Sequence, residues 1–217
     1  MIIWLFSDTH CRHKYLKPPK ADLAIFCGDE ANHFDPIQNE IEARPFFEWY
    51  SKVDIQHKLY IPGNHSTAVE AGLIETDDYG ILNINNAIID LYGYRIYGNA
   101  TTPRYGKSGA YMMKRNRTSL VWDNIPDCDI LVTHGPPQGI LDLTTNLEGD
   151  LVQVGDKSLY NRVVEMQPKM HCFGHIHKEK NFHNRGIFSY NDTNFINCAC
   201  WSHRTNEFDQ GIIYDIN

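Results

Sequence analysis

Met170-His171-Cys172-Phe173-Gly174-His175-Ile176-His177 reads as a short apolar strand that hands over directly to two histidines spaced two apart. Side chains two apart at a strand end point to the same side, so His175 and His177 converge. The same arrangement recurs four more times. Asp8-Thr9-His10 comes after the apolar run Ile2–Phe6, Gly28-Asp29 after Leu23–Cys27, Gly63-Asn64-His65 after Lys58–Ile61, and His134-Gly135 after Ile130–Thr133. The five clusters contain Asp, Asn and His but no cysteine, which are the oxygen and imidazole donors that hard and borderline divalent metals accept. A chain that keeps placing one ligand type where strands end builds a single site from several strand tips.

Pooled, Asp8, His10, Asp29, Asn64, His134, His175 and His177 supply two carboxylates, one amide and four imidazoles. That set is too large for one tetrahedral zinc and suits two cations sharing a bridging carboxylate. Gly28, Gly63 and Gly174 precede three of the clusters. Glycine there permits a tight, often positive-φ turn and close approach of the backbone to the metals.

Runs rich in Ile, Val, Leu, Phe and Tyr predict further strands at Ile81–Ile84, Ala87–Leu91, Tyr94–Gly98, Phe195–Cys200 and Gly211–Asp215. A helix is predicted over Asp35–Lys52, with Ile37, Ile41, Phe46, Phe47 and Tyr50 as its apolar residues and a break or kink at Pro45. Shorter helices are predicted at Ser66–Leu73 and Ser158–Met166. Strand and helix alternate at first, and a block of consecutive strands comes next, which suggests two packed sheets with helices outside. The stretch Ala100–Asp129, rich in Arg, Lys, Gly and aromatics, reads as an extended surface loop.

A length of 217 residues suits one core, so residues 1–217 are read as a single domain. The net charge of -7 argues against a passive grip on long nucleic acid. The six cysteines sit mostly in apolar runs and read as buried thiols of a reducing compartment; Cys198 and Cys200 alternate and are expected on one strand face. The apolar start Met1–Phe6 is too short and lacks the flanks of a signal peptide, and no stretch approaches a membrane span. The expectation is a cytoplasmic protein with no membrane partner. His13, His57, His171, His183 and His203 carry no assigned role, His171 reading as a packed or edge residue.

The ordered pattern D-x-H, G-D, G-N-H, H, G-H-x-H, spanning Asp8 to His177, resembles the calcineurin-like metallophosphoesterase superfamily. The resemblance implies an α/β fold, a four-layer α/β/β/α sandwich of two mixed sheets flanked by helices, with a dinuclear site at the sheet ends. It implies that Asp8, His10, Asp29 and His177 hold one metal and Asp29, Asn64, His134 and His175 the other, with His65 catalytic. Protein phosphatases of the superfamily carry G-D-x-x-D-R-G and G-N-H-E, which this chain lacks, and Ser66 stands where an acid would support the catalytic histidine. The segments Thr133-His134-Gly135-Pro136-Pro137, Gly139-Ile140-Leu141-Asp142 and Phe195-Ile196-Asn197 resemble the metallophosphoesterase-domain (MPPED) phosphodiesterase branch, with a departure at Asp156, where cysteine is usual.

The implied activity is hydrolysis of small phosphodiesters, cyclic nucleotides foremost. A metal-activated hydroxide attacks phosphorus and His65 serves as general acid. Two divalent ions are implied, Mn²⁺ first, with Fe, Zn²⁺ or Ni²⁺ as alternatives. The expected partner is a small diester or nucleotide, with Asn32, His33, Arg104, Tyr105 and Arg115 offered as its contacts. Rival readings are a phosphomonoesterase, a nuclease on short single strands, and a scaffold that keeps the fold without the chemistry.

Overall fold

The protein is described by a computed structural model covering residues 1–146, 148–179, 182 and 184–216; His183 lies outside the described residues. The strands are β1 (Ile2–Phe6), β2 (Leu23–Phe26), β3 (His57–Tyr60), β4 (Leu82–Asn83), β5 (Ala87–Leu91), β6 (Tyr94–Asn99), β7 (Ile130–Thr133), β8 (Met170–Phe173), β9 (Gly186–Tyr190), β10 (Thr193–Asn197) and β11 (Ile212–Asp215). They form two sheets, ordered β11-β1-β2-β3-β4 and β9-β10-β8-β7-β6-β5. In the first, β1 to β4 run parallel and β11 lies antiparallel against β1. In the second, β10, β8, β7 and β6 run parallel between antiparallel edges β9 and β5. Parallel strands end on the same edge of a sheet, which is where the ligand clusters sit.

Strand alternation sorts the side chains into layers. Ile3, Leu5, Leu23, Ile25, Ile130, Val132, Met170 and Cys172 meet between the sheets. Trp4, Phe6, Ala24 and Phe26 face the helix α1 (Pro36–Ser51) on one outside. Leu131, Phe173 and Phe195 face Trp122 of α3 (Ser119–Trp122) together with Leu159 and Val163 of α4 (Lys157–Met166) on the other. The expected four layers of a mixed α/β sandwich are present. Both outer faces are covered, so the central parallel strands β2, β7 and β8 bury every residue.

Several elements depart from the sequence reading. Helix α1 starts after its N-cap Asp35 and runs unbroken through Pro45. Pro45 lies on the solvent face, where water can take the carbonyl its missing N–H leaves behind. The buried stripe is Asn39, Ala43, Phe46, Phe47 and Tyr50, whereas Ile37 and Ile41 are exposed. Strand β10 stops at Asn197, so Cys198 packs between the sheets and Cys200 on the α1 side, on different faces. Strand β9 is an exposed edge hairpinned to β10 through Asn191-Asp192.

The Ala100–Asp129 stretch is more ordered than a loop: Thr102–Pro103 pairs with Met112–Met113, and α3 comes after. Trp122 is its anchor, fully buried with its Nε1 donating to Asp156 Oδ2 at 2.9 Å. Asp156 also caps α4, its Oδ1 accepting from Ser158 N at 2.8 Å and Leu159 N at 3.2 Å. Asp156→Ala is therefore expected to lose the cap and strand a buried indole N–H, together about 2–4 kcal/mol. Urea unfolding reads it, and Asp156→Asn, whose single amide oxygen can keep the cap while its NH2 faces the Trp122 N–H, should recover only the cap's part of the loss. Equal midpoints for the alanine variant and wild type would refute this account.

His171 is a second buried polar group with a measurable consequence. Its Nε2 lies 2.8 Å from Thr133 Oγ1, and that hydroxyl donates to Gly135 O at 2.7 Å. The hydroxyl has one proton, so His171 donates through Nε2 and its buried Nδ1 is left unprotonated and unpartnered. Burial pushes its pKa down from 6.5 to about 3. Between those values the unfolded chain binds a proton that the folded one refuses. The contribution is thus whole above the unfolded pKa and lost as pH falls below it, by about 2 kcal/mol near pH 5. His171→Phe keeps the ring packing on Phe173 and Phe195. The variant, metal-stripped, should lose less stability than wild type between about pH 7 and pH 5, by roughly that amount. Parallel pH dependences would show that His171 is not the group responsible.

No helix among the described residues is long and apolar enough to cross a membrane.

Candidate metal centre

The strand tips reach the site through backbone conformations that side chains ordinarily avoid. Asp8 (φ 52), His10 (φ 42), Asp29 (φ 66) and His175 (φ 66) all occupy the left-handed region. Each such residue costs roughly 1 kcal/mol or more, and the surrounding bonds must hold it there. They do: Asp8 N donates to Gly28 O at 2.8 Å, His10 N to Asp29 O at 3.2 Å and Cys11 N to Glu30 O at 2.8 Å, zipping the loops after β1 and β2 together.

The three glycines work mainly by leaving space. Only Gly28 has a positive φ, of 97, and a Cβ on it would also stand 2.5 Å from His134 Nδ1. A Cβ on Gly63 would overlap Asp29 Oδ1, and one on Gly174 would overlap Asp8 Oδ2 and Ser7 Oγ. The backbone is packed onto the ligand side chains, which is the close approach expected, achieved at Gly63 and Gly174 without the turn conformation.

Two clusters result. Asp8, His10 and His177 form one, and Asp29, His134 and His175 the other; within each, one ligand atom per residue lies within 4.8 Å of the rest. Asn64 joins the second through Oδ1, 3.0 Å from His134 Nε2. Asp29 lies between them, its Oδ2 3.3 Å from His134 Nε2 and 3.9 Å from His10 Nε2. His177 Nε2 stands 3.1 Å from Asp8 Oδ1. All seven ligand residues read from the sequence are brought together.

The ring orientations are set from behind. His10 Nδ1 lies on Ala31 O at 3.0 Å and His134 Nδ1 on Cys27 O at 2.7 Å. A carbonyl only accepts, so both rings carry their proton at Nδ1 and turn Nε2 inward, the arrangement in which a histidine ligates a metal. His10 Nε2 is buried without a hydrogen-bond partner. Burial pushes His10 down to about 4 and His175 to about 3, so both keep a free lone pair at neutral pH. Burial also works against charge on His134, but the Asp29 carboxylate overrides it and lifts the ring to about 9. Asp29 would be raised by burial, yet the His134 charge and its neighbours hold it well below the usual carboxylate range. Buried carboxylates facing orphaned imidazole nitrogens are poorly compensated by the protein alone. The donor set and the unpartnered Nε2 fit a pair of divalent cations.

His65 sits beside the clusters. Its N donates to Asp29 Oδ1 at 2.7 Å and its Nδ1 lies 2.6 Å from Asn32 O. That carbonyl stands in for the missing acid, and Ser66 instead donates to the buried Glu30, Oγ to Oε2 at 2.8 Å.

A cavity of about 550 Å³ opens over both clusters and His65. Of the contacts read from sequence, Asn32, Tyr105 and Arg115 line it. His33 and Arg104 do not: His33 pairs with Glu42 at 3.3 Å, and Arg104 N is taken by Met113 O. Arg115 is tied down, donating to Gly155 O at 2.7 Å and Val154 O at 2.8 Å, so it braces the wall rather than reaching inward. The Tyr105 hydroxyl accepts from Asn64 Nδ2 at 2.7 Å. Further lining, absent from the sequence reading, comes from Lys178, Trp201, His203 and Arg204. Arg12 lies 3.7 Å over the Trp201 ring and backs it. The run Trp201-Ser202-His203-Arg204, aromatic and basic together, was the available signal.

Known proteins agree with this architecture. The chain is 27% identical to human metallophosphoesterase domain-containing protein 1 over 97% of its own length and 69% of that protein. It is 30% identical to a Caenorhabditis elegans UPF0046 protein over 97% of its length and 79% of that one. Among solved structures, phosphopantetheinyl hydrolase from Mycobacterium tuberculosis superimposes with a TM-score of 0.59 at 14% identity, covering 91% of this chain and 88% of that chain. TT1561 of Thermus thermophilus gives 0.58 at 13%, with the same coverage. These two speak for the fold alone. The family model for calcineurin-like phosphoesterases matches residues 1–179, the span that contains every strand tip of the metal centre, and the chain belongs to that family of metal-dependent phosphoesterases.

Proposed function

We propose that the chain is a dinuclear phosphodiesterase acting on small phosphodiesters, cyclic nucleotides foremost, with His65 as general acid. The carrying observation is that one cavity joins both ligand clusters and His65 to a wall bearing Tyr105, Trp201, Lys178 and Arg204. A diester brings an organic group on each side of phosphorus. A cavity near 550 Å³ suits a nucleotide-sized ligand. Flat aromatics suit a base and cations a phosphate. The net charge of -7 argues against a long nucleic acid substrate. Six free cysteines agree with a cytoplasmic setting.

Asp8, His10, Asp29 and His177 would hold one cation, and Asp29, Asn64, His134 and His175 the other. Such a pair, when bound, orients water and the phosphoryl oxygens and offsets the charge that builds on phosphorus. His65 handles the leaving group. Its Nδ1 proton is committed to Asn32 O, which leaves Nε2 to carry the mobile proton. As the P–O bond breaks, the electron pair stays on the leaving oxygen and the imidazolium passes its Nε2 proton there, ending neutral.

The test is turnover of bis-p-nitrophenyl phosphate beside p-nitrophenyl phosphate and a short oligonucleotide. It uses metal-stripped protein with Mn²⁺ restored and Fe, Zn²⁺ and Ni²⁺ for comparison. Metal-dependent preference for the diester is expected. Preference for the monoester would make the protein a phosphomonoesterase, and no turnover with any metal would replace the reading with a scaffold.

A further inference from the structure

Asn39 is a fully buried amide in the first turn of α1, on its buried stripe, where an apolar residue would pack at less expense. Its side chain is used completely in three directions. Nδ2 donates to His33 O at 2.7 Å and to His65 O at 2.5 Å, and Oδ1 accepts from Ala68 N at 3.0 Å. One side chain thereby joins the loop after β2 to the loop after β3, and both to the short helix α2 (Thr67–Glu70).

The loop after β2 is the one that wraps His65. Asn32 O takes the Nδ1 proton, and the Phe34 ring stacks on the imidazole at 4.2 Å with 26° between planes. The ring edge meets His10 at 4.9 Å between centroids. Asp29 holds the His65 N–H from one side at 2.7 Å, and Asn39 holds its carbonyl from the other. The two contacts that grip the ring's Nδ1 and its face therefore rest on residues 32–34 keeping their place. That place is held by the Asn39 bond to His33 O at 2.7 Å together with Glu42 Oε2, which accepts from Asn32 N at 2.8 Å and His33 N at 3.0 Å; of these only Asn39 also grips the His65 carbonyl.

We infer that Asn39 is a positioning residue for His65. It locks the Asn32–Phe34 cradle so that the ring keeps one proton at Nδ1 and turns Nε2, which carries the mobile proton, to the leaving oxygen. Asn39 touches no substrate and no ligand side chain. The inference rests on the proposed role of His65 as general acid.

Asn39→Asp tests it, because the carboxylate keeps the size and still accepts from Ala68 N while facing two carbonyls with no donor. Phe34→Leu, on a 37% exposed residue, removes the stack with little risk to folding. Both variants should lower kcat by about tenfold or more on a diester with a phenol or alkyl alcohol leaving group. On bis-p-nitrophenyl phosphate, whose leaving group departs without a proton, the drop should stay within about threefold, with KM and metal content near wild type. Nitrogen NMR of the imidazoles, with His65 identified from a His65→Gln control, should show the Nδ1–H form of His65 in wild type and a mixture of tautomers in Asn39→Asp. Equal loss on both substrates, or loss of metal, would make Asn39 a structural residue only. If wild type turns over no ester, the general-acid reading fails by itself. The tautomer measurement then still decides, an unchanged His65 ring in Asn39→Asp refuting the cradle.

Discussion

Asp29→Asn protein is expected to fold and to lose phosphodiester turnover by about 10³-fold or more. Asparagine has the same shape, and its oxygen can still accept from the His65 N–H, now 2.7 Å from Asp29 Oδ1. It cannot carry the charge that lies 3.3 Å from His134 Nε2 and 3.9 Å from His10 Nε2. Asp29 is placed between the two clusters, so its neutralisation weakens both. Several kcal/mol of charge stabilisation is what a metal pair supplies, and about 1.4 kcal/mol is tenfold in rate. Elemental analysis after gel filtration should show metal content falling from about two ions per chain to about one or fewer. Full metal content with wild-type kcat/KM would remove Asp29 from the centre altogether.

Gly63→Ala should do nearly as much harm without touching a ligand. The new methyl would land on Asp29 Oδ1 and 2.7 Å from His134 Cε1 and from Asp29 N. None of these is the loose end of a flexible chain: Asp29 is pinned by the His65 N–H and His134 by Cys27 O. Gly63 does not have a left-handed φ, so alanine brings no backbone strain and the effect is steric alone. Shifting supports of metal ligands typically weakens binding by about 10–100-fold. Competition with a chelator should show a loss of that size, accompanied by a matching fall in turnover at limiting metal. A Gly63→Ala protein that holds metal as tightly as wild type would mean that the backbone yields easily there.

The parts of this molecule legible in the sequence are those that local grammar determines. A parallel strand buried on both faces has to be an unbroken apolar run, and the residues after it have to sit at the sheet's edge. Leu23–Cys27 before Gly28-Asp29 and Met170–Phe173 before Gly174 therefore announced both the layers and the places where ligands cluster. The cavity walls were not legible, because contacts beyond the strand tip decide them. His33 and Arg104 are adjacent in sequence to good candidates yet stand outside the cavity lining, His33 being paired with Glu42. Lys178 and Arg204 reach the cavity from segments with no periodic signal. Helix α1 misled for a related reason. Ile37 and Ile41 are more apolar than Asn39, yet Asn39 points inward because two loops need a donor there. A polar residue on a buried stripe is invisible to hydrophobic periodicity, and it is often a marker of function.

Each ligand cluster draws on both sheets. Asp8 and His10 extend from the first and His177 from the second; Asp29 and Asn64 extend from the first and His134 and His175 from the second. Cations seated there would rivet the two halves of the sandwich across the seam, at the edge opposite the strands' starting ends. Neither sheet alone presents a full coordination set, so high-affinity metal uptake during folding must wait until the halves have met. A chain that holds its ions tightly has, by that fact, already been assembled correctly.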